Sequence, residues 1–263
     1  MSCVGPVRAL LFVPANRPDR FAKAAASGAD AIILDLEDGV PNNAKTAARE
    51  AMDDTFTTLP IIVRVNTWGT SWHEQDLAAV RAGDYAAVML PKAEDTAIIA
   101  NVAQQVAGLP IIALIETARG FAAAREISAC PAVMQLAFGS VDYCADMGCA
   151  HQRDVLLPAR SELVLASRLA GIAPPLDGVT VDLRDHSLAE EDAAYARALG
   201  MAGKLCIHPG QIPVVKSAFA PTEAETEWAR RVLESGDGAA AVDGIMVDEP
   251  VRIRARRILA EAR

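Results

Sequence analysis

Aromatic side chains are scarce: Phe, Trp and Tyr make up only 5% of the 263 residues. The core must therefore come mainly from Ala, Val, Ile and Leu, as in parallel sheets covered by helices, which disfavours an all-β sandwich. No run of Lys or Arg interleaved with aromatics occurs and the net charge is −9, which argues against nucleic acid as a partner because phosphate contacts need a basic footprint. The five cysteines (Cys3, Cys130, Cys144, Cys149, Cys206) form no Cys-x-x-Cys pair and no zinc spacing. Reduced, buried bystanders in a cytoplasmic setting are expected. The N-terminus lacks a basic segment followed by an apolar signal core, and no apolar stretch approaches the roughly 20 residues of a membrane helix. A cytoplasmic protein without a membrane partner follows. No Gly-x-Gly-x-x-Gly succeeds the first apolar run, which weakens a dinucleotide-binding fold.

What is present is an alternation. Short aliphatic runs recur at Ala9–Pro14, Ala31–Leu36, Ile61–Val65, Ala87–Leu90, Ile111–Ile115, Val133–Ala137, more weakly at Gly178–Val181, and at Lys204–Ile207. Between them lie longer Ala-rich, charge-dotted segments, several opened by a capping Asp, Asn or Ser, that read as helices. Eight strands each followed by a helix, in a chain close to the roughly 250 residues typical of the fold, predict an α/β (β/α)8 barrel. Residues 1–220 are expected to form the barrel and 221–263 a C-terminal helical extension of the same domain, with helices at Thr222–Glu234 and Val251–Ala262.

Barrel enzymes place their chemistry after the strands, so charges at strand C-termini are the informative residues. The second strand runs into Asp35, Glu37 and Asp38, the third into Arg64 and Asn66, the fourth into Lys92, the fifth into Glu116, and Asp142 follows the sixth. Glu116 ends the apolar run PIIALIE, where a carboxylate needs a cation or several donors to stay ionised. With Asp142 on the next loop, two oxygen ligands from neighbouring strands suit Mg²⁺, with Mn²⁺ as a substitute. Taken singly, each has a structural alternative: Glu116 in an ion network with Arg64 or Lys92, Asp142 capping a helix. Their joint placement favours the metal site. Arg64 offers a planar cation for a carboxylate or a developing enolate oxygen, or else a salt bridge to Glu37 or Asp38. Glu37 and Asp38 are expected to hold metal-bound water or to fix Arg64, and Asp35 ranks below them. The histidines read as surface or packing residues, with His208 near the rim.

The chain resembles the citrate lyase beta-subunit-like proteins of the aldolase and citrate lyase superfamily, which includes malyl-CoA and citramalyl-CoA lyases. The likeness rests on LLFVPANRPDRFAKAAASGADAIILDLEDGVP, VRVN, LPKAED, ALIETARG, FGSVDYCADMG, CIHPGQ and GIMVDEPVRIRARRI. It implies a trimer or hexamer, Mg²⁺ on Glu116 and Asp142, and substrate contact by Arg64. It also assigns Arg17 and Lys23 to the phosphates of a CoA-type ligand, and gives Asp248 an acid or base role in a neighbouring subunit's site. Two departures stand out: Val141 where the family often has Glu, and Ala15 where it has Gly. Related pyruvate-type aldolases carry a His where Asp38 stands, which disfavours simple pyruvate aldolase chemistry. The expected reaction is Mg²⁺-dependent carbon–carbon cleavage, or the reverse condensation, of a 3-hydroxyacyl-CoA thioester such as malyl-CoA or citramalyl-CoA, giving a 2-oxo acid and acetyl-CoA. A citrate lyase subunit acting on a citryl thioester of a carrier protein, or a CoA-ligand binding protein without chemistry, is the alternative.

Overall fold

A computed structural model describes residues 7–236 and 240–262. Its eight strands are β1 (Ala9–Pro14), β2 (Ala31–Asp35), β3 (Ile61–Arg64), β4 (Ala87–Leu90), β5 (Ile111–Ile115), β6 (Val133–Phe138), β7 (Ala173–Asp177) and β8 (Gly203–Cys206). They pair in chain order, all parallel, and β8 returns to β1 to close the barrel. A closed parallel sheet is buried on both faces, which explains the unbroken burial of β2, β4, β5 and β8.

Alternation along each strand divides the residues. Leu10, Ala31, Ile33, Ile62, Ala87, Met89, Ile112, Leu114, Ala137, Leu176 and Leu205 form one buried cluster that fills the barrel. The residues between them face the outer helices, since successive side chains of a strand point to opposite sides. That surrounding layer consists of α1 (Phe21–Ala25), α2 (Lys45–Glu50), α3 (His73–Ala82), α4 (Thr96–Gln105), α5 (Ala118–Ser128), α6 (Ser140–Met147), α7 (Arg153–Ala170), α8 (His186–Leu199) and α9 (Gln211–Phe219). Asp95 and Thr117 cap α4 and α5 through their side chains.

The expected seventh strand, Gly178–Val181, is corrected: β7 is Ala173–Asp177, with Pro174 and Pro175 inside it. Proline donates nothing to a ladder, so the sequence argues against a strand there. Tertiary partners use the carbonyls instead, with Gln135 donating to Pro174 O at 2.7 Å and Ala202 N–H to Pro175 O at 3.0 Å. Helix α6 is a second addition, inserted between β6 and α7.

Asp177, at the end of β7, faces outward. It accepts from Arg160 of α7 at 2.7 Å and from Lys204 of β8 at 2.9 Å, all three side chains being buried. Burial alone would raise its pKa, but the two cations hold it below the ordinary aspartate range.

The chain divides into a unit through Lys216 and a second from Ser217. The second holds α10 (Glu223–Glu234), opened by a Thr222/Glu225 capping box, an antiparallel hairpin of β9 (Ala240–Val242) and β10 (Ile245–Val247), and α11 (Glu249–Glu261). Ala229, Val232, Val247, Ala255 and Ile258 make its small core. Among the described residues no helix is long and apolar enough to cross a membrane.

Removing a buried carboxylate that pairs with two buried cations leaves Arg160 and Lys204 without their shared partner. Asp177→Ala should therefore lose about 3–5 kcal/mol in urea unfolding; a loss under about 1 kcal/mol would show the triad to be dispensable.

Candidate active site

Period two carries the inward rows beyond the apolar core to the mouth of the barrel. Ala31 and Ile33 lead to Asp35 and on to Glu37, Ile62 leads to Arg64, and Ile112 and Leu114 lead to Glu116. Asp35 and Arg64 are register partners across β2 and β3. Their side chains pair as two forks, Nε to Oδ1 and Nη2 to Oδ2, both at 2.7 Å. The third guanidinium nitrogen, Nη1, lies 2.9 Å from Glu37 Oε2, and the cation rests on the Phe12 ring at 4.8 Å. Burial would lower the Arg64 pKa, yet Asp35, then Glu37 and Glu116, hold it above the ordinary arginine value.

Lys92 joins this pair to the fifth and sixth strands. Its ammonium is 3.2 Å from Glu37 Oε1, 3.8 Å from Glu116 Oε1 and 3.9 Å from Asp142 Oδ1. Its backbone N–H donates to Glu116 Oε1 at 2.9 Å. Glu116 is 1% exposed; burial, aided by the Glu37 charge, pushes its carboxyl up to about 8 against the pull of Lys92. Burial also raises Glu37, with Arg64 and Lys92 opposing. Glu37 Oε2 is buried and, despite its ion contact to Arg64, has no hydrogen bond of proper geometry.

Asp142 lies in the first turn of α6, whose N-cap is Gly139 with no side-chain cap bond. Its carboxylate accepts no hydrogen bond from the backbone of that turn among the described residues, and faces Lys92 at 3.9 Å. Gly139 is required where it stands, because a Cβ there would strike the Glu116 carboxylate. Gly120 serves a packing purpose: a Cβ would meet the Ala93 carbonyl at 2.8 Å.

The loop holding Glu37 is braced from outside. Buried Lys45 donates to Leu36 O and Glu37 O, both at 2.7 Å. Asn66 donates to Leu36 O at 2.9 Å and is itself fixed by Asp76 at 2.6 Å. Nothing in NNAKTAAR separates Lys45 from an ordinary exposed helix lysine, so no sequence signal could have found it. Asp35 had one: strand alternation places it inward with Glu37 and leaves Asp38 out of register.

Beside the cluster opens a cavity of about 700 Å³, a usual size for a ligand pocket, whose walls include Lys23, Asp38, Arg64, Asp142, Val141 and His208. Arg20 also lines it, an addition to the expected cations. Arg17 does not join them. It is exposed and bound to Asp19 at 2.7 and 2.8 Å. The structure thus brings Arg64, Glu37, Glu116 and Asp142 into one contact network, with Lys23 and Asp38 in the adjoining cavity wall. Asp35 supplants Asp38 as the partner of Arg64. Asp248 belongs to the C-terminal unit, where its side chain caps α11 by accepting from Val251 N–H at 3.3 Å.

A closed eight-stranded parallel barrel, with acids and cations gathered at the strand C-termini, defines a (β/α)8 TIM-barrel protein. The chain belongs to the HpcH/HpaI aldolase/citrate lyase family, whose profile matches residues 8–209. It is 43% identical to the citrate lyase subunit beta-like protein of Mycobacterium tuberculosis strain H37Rv, over 96% of this chain and 94% of that one. It is 34% identical to a (3S)-malyl-CoA thioesterase of Cereibacter sphaeroides strain KD131, over 98% and 95%. Among solved structures, protein CitE from M. tuberculosis in complex with magnesium, acetoacetate and coenzyme A superposes with a TM-score of 0.88 at 42% identity, covering 100% of this chain and 99% of that chain.

Because the folded Glu116 carboxyl takes up its proton far above an unfolded glutamate, at about 4.3, its protonation favours the fold at low pH. That contribution is lost as pH rises through about 8. In chelator, Glu116→Gln should gain in melting temperature over the parent between pH 6 and 9, and the two curves should converge towards pH 5. Parallel curves in scanning calorimetry would contradict the buried, uncompensated carboxyl.

Proposed function

We propose that this chain is a Mg²⁺-dependent carbon–carbon lyase acting on a 3-hydroxyacyl-CoA thioester such as malyl-CoA or citramalyl-CoA, releasing a 2-oxo acid and acetyl-CoA, or running in reverse. One observation carries the reading. Among the described residues, the contacts at the barrel mouth join four carboxylates (Asp35, Glu37, Glu116, Asp142) to two cations (Arg64, Lys92). Arg64 is spent on Asp35 and Glu37, so the side chains of Glu116 and Asp142 are left with only the looser 3.8 and 3.9 Å contacts to the Lys92 ammonium.

The donors fit such an ion. Glu116 and Asp142 offer hard oxygens, and no three His, Cys, Asp or Glu side chains among the described residues form a ready cage. A site with two protein carboxylates and its other positions left to water and substrate is how Mg²⁺ is usually held, and Mn²⁺ accepts the same donors. Bound there, the metal would supply a Lewis acid that acidifies the substrate hydroxyl. The remaining work falls to side chains. Arg64 uses two nitrogens on Asp35 and one on Glu37, which leaves N–H groups on both terminal nitrogens for the enolate oxygen formed when the C–C bond breaks. Glu37 orients Arg64 and Lys92, and Asp38 meets the ligand from the cavity wall. Lys23, with Arg20, supplies the cations for the phosphates of CoA. Arg17 would have to leave Asp19 to contribute. Asp248, from an adjoining copy in a trimer or hexamer, takes the hydroxyl proton and returns it to the enolate carbon. The magnesium, acetoacetate and coenzyme A held by the mycobacterial relative support this reading.

The malyl-CoA thioesterase relative favours a second outcome at the same site, attack of water on the thioester. A citryl thioester on a carrier protein is the third, in line with the citrate lyase subunit beta-like relative. Mass spectrometry of reactions with malyl-, citramalyl- and citryl-CoA, with and without Mg²⁺, separates them. A lyase yields acetyl-CoA and a 2-oxo acid, whereas a thioesterase yields free CoA and the intact hydroxy acid. Glu116→Gln should keep its fold and lose Mg²⁺-dependent turnover by at least about a hundredfold; unchanged activity refutes the ligand assignment.

A further inference from the structure

Lys92 is built into the mouth of the barrel in a way the proposed reaction does not require. It follows β4 with φ +47°, a left-handed conformation that costs a non-glycine residue on the order of 1 kcal/mol. In that conformation its own N–H meets Glu116 Oε1 while its ammonium lies within 4 Å of Glu37, Glu116 and Asp142. Only the Glu37 contact, at 3.2 Å, is a hydrogen bond. The other two, at 3.8 and 3.9 Å, are looser electrostatic contacts to the two proposed metal ligands.

We propose that the Lys92 ammonium is an internal competitor for the divalent cation: it stands before Glu116 and Asp142 while the site is metal-free, and swings off them, pivoting on Glu37, when Mg²⁺ binds. This deepens the metal reading given above and rests on it. The argument is steric and electrostatic. Mg²⁺ takes carboxylate oxygens at roughly 2.0–2.1 Å, so an ion held by Glu116 and Asp142 would approach the oxygens that the ammonium faces, and two cations at such range repel strongly. The side chain has room to leave, being 34% exposed, whereas Glu116 at 1% has none. Lys92 also has an anchor to keep, because Glu37 is fixed by Arg64, by Thr67 at 3.0 Å and by the Lys45 bonds to its loop. The arrangement lowers apparent metal affinity, because the ion must displace the ammonium from the oxygens it binds.

The test is calorimetric titration of Mg²⁺ into the whole protein and into Lys92→Met, Lys92→Gly, Lys92→Arg and Glu116→Gln. Glycine is included because φ +47° suits it, so that variant keeps the backbone N–H to Glu116 and relieves strain, guarding against a misfolded methionine variant. Met and Gly should each bind Mg²⁺ about tenfold more tightly than the parent, since one unit charge a few ångströms away is removed. Arg should stay within about threefold, since the charge is kept. Affinity at or below the parent's in both Met and Gly, with Glu116→Gln still abolishing binding, overturns the competition but leaves the metal site standing. Unaltered binding in Glu116→Gln overturns both. Crystals grown with and without Mg²⁺ give a second readout: the ammonium should leave Glu116 and Asp142 and stay on Glu37, and an unmoved Lys92 beside bound Mg²⁺ refutes the proposal.

Discussion

Everything at the mouth of this barrel follows from strand alternation. In a closed parallel sheet the side chain two residues beyond an interior one is interior again. The rows that fill the barrel with Ile33, Ile62 and Leu114 therefore continue into Asp35, Arg64 and Glu116. These groups cannot turn outward without shifting the register of a strand, and a register slip would expose the whole apolar row. The protein is thus committed to burying charge at that level. How the charge is balanced then decides what the level can do.

Two ion clusters built on this sheet show the difference. On the outer face, Asp177 is one carboxylate held by two cations, and its pKa is depressed. On the inner face, four carboxylates share Arg64 and Lys92, and Glu116 is pushed up to about 8. The first is closed to further ligands and reads as a tie between sheet and helices. Each holds a buried polar atom without a hydrogen bond, Arg160 Nη1 in the first and Glu37 Oε2 in the second, but the second adjoins the cavity that Asp35, Arg64 and Asp142 help to line. Perturbed groups beside a cavity are candidates for a functional site.

The supporting shell gives the acids their positions. Lys45, Asn66 and Asp76 bind backbone and side-chain atoms of the loops rather than any ligand-facing group, and Gly139 makes room for Glu116. Such bracing converts flexible carboxylates into a preorganised set, which is what electrostatic stabilisation of a developing charge requires.

Much of this was legible from the chain itself. Repeated aliphatic runs ending in acids and bases specified eight strands, a barrel, and the candidates Glu116, Asp142 and Arg64, because hydrophobic periodicity and strand-end charge are local properties. The same period applied to LDLEDG would have put Asp35 ahead of Asp38. Other features have no local mark. Strand β7 runs through two prolines because Gln135 and Ala202, remote in sequence, satisfy their carbonyls. Lys45, Lys92 and Arg17 are chemically alike as isolated cations, yet one is buried as a brace, one stands among carboxylates, and one is exposed on Asp19. Sequence by itself set the period, the charge inventory and hence the fold. Which cation meets which anion depended on distances between segments tens of residues apart, and only tertiary packing decides those.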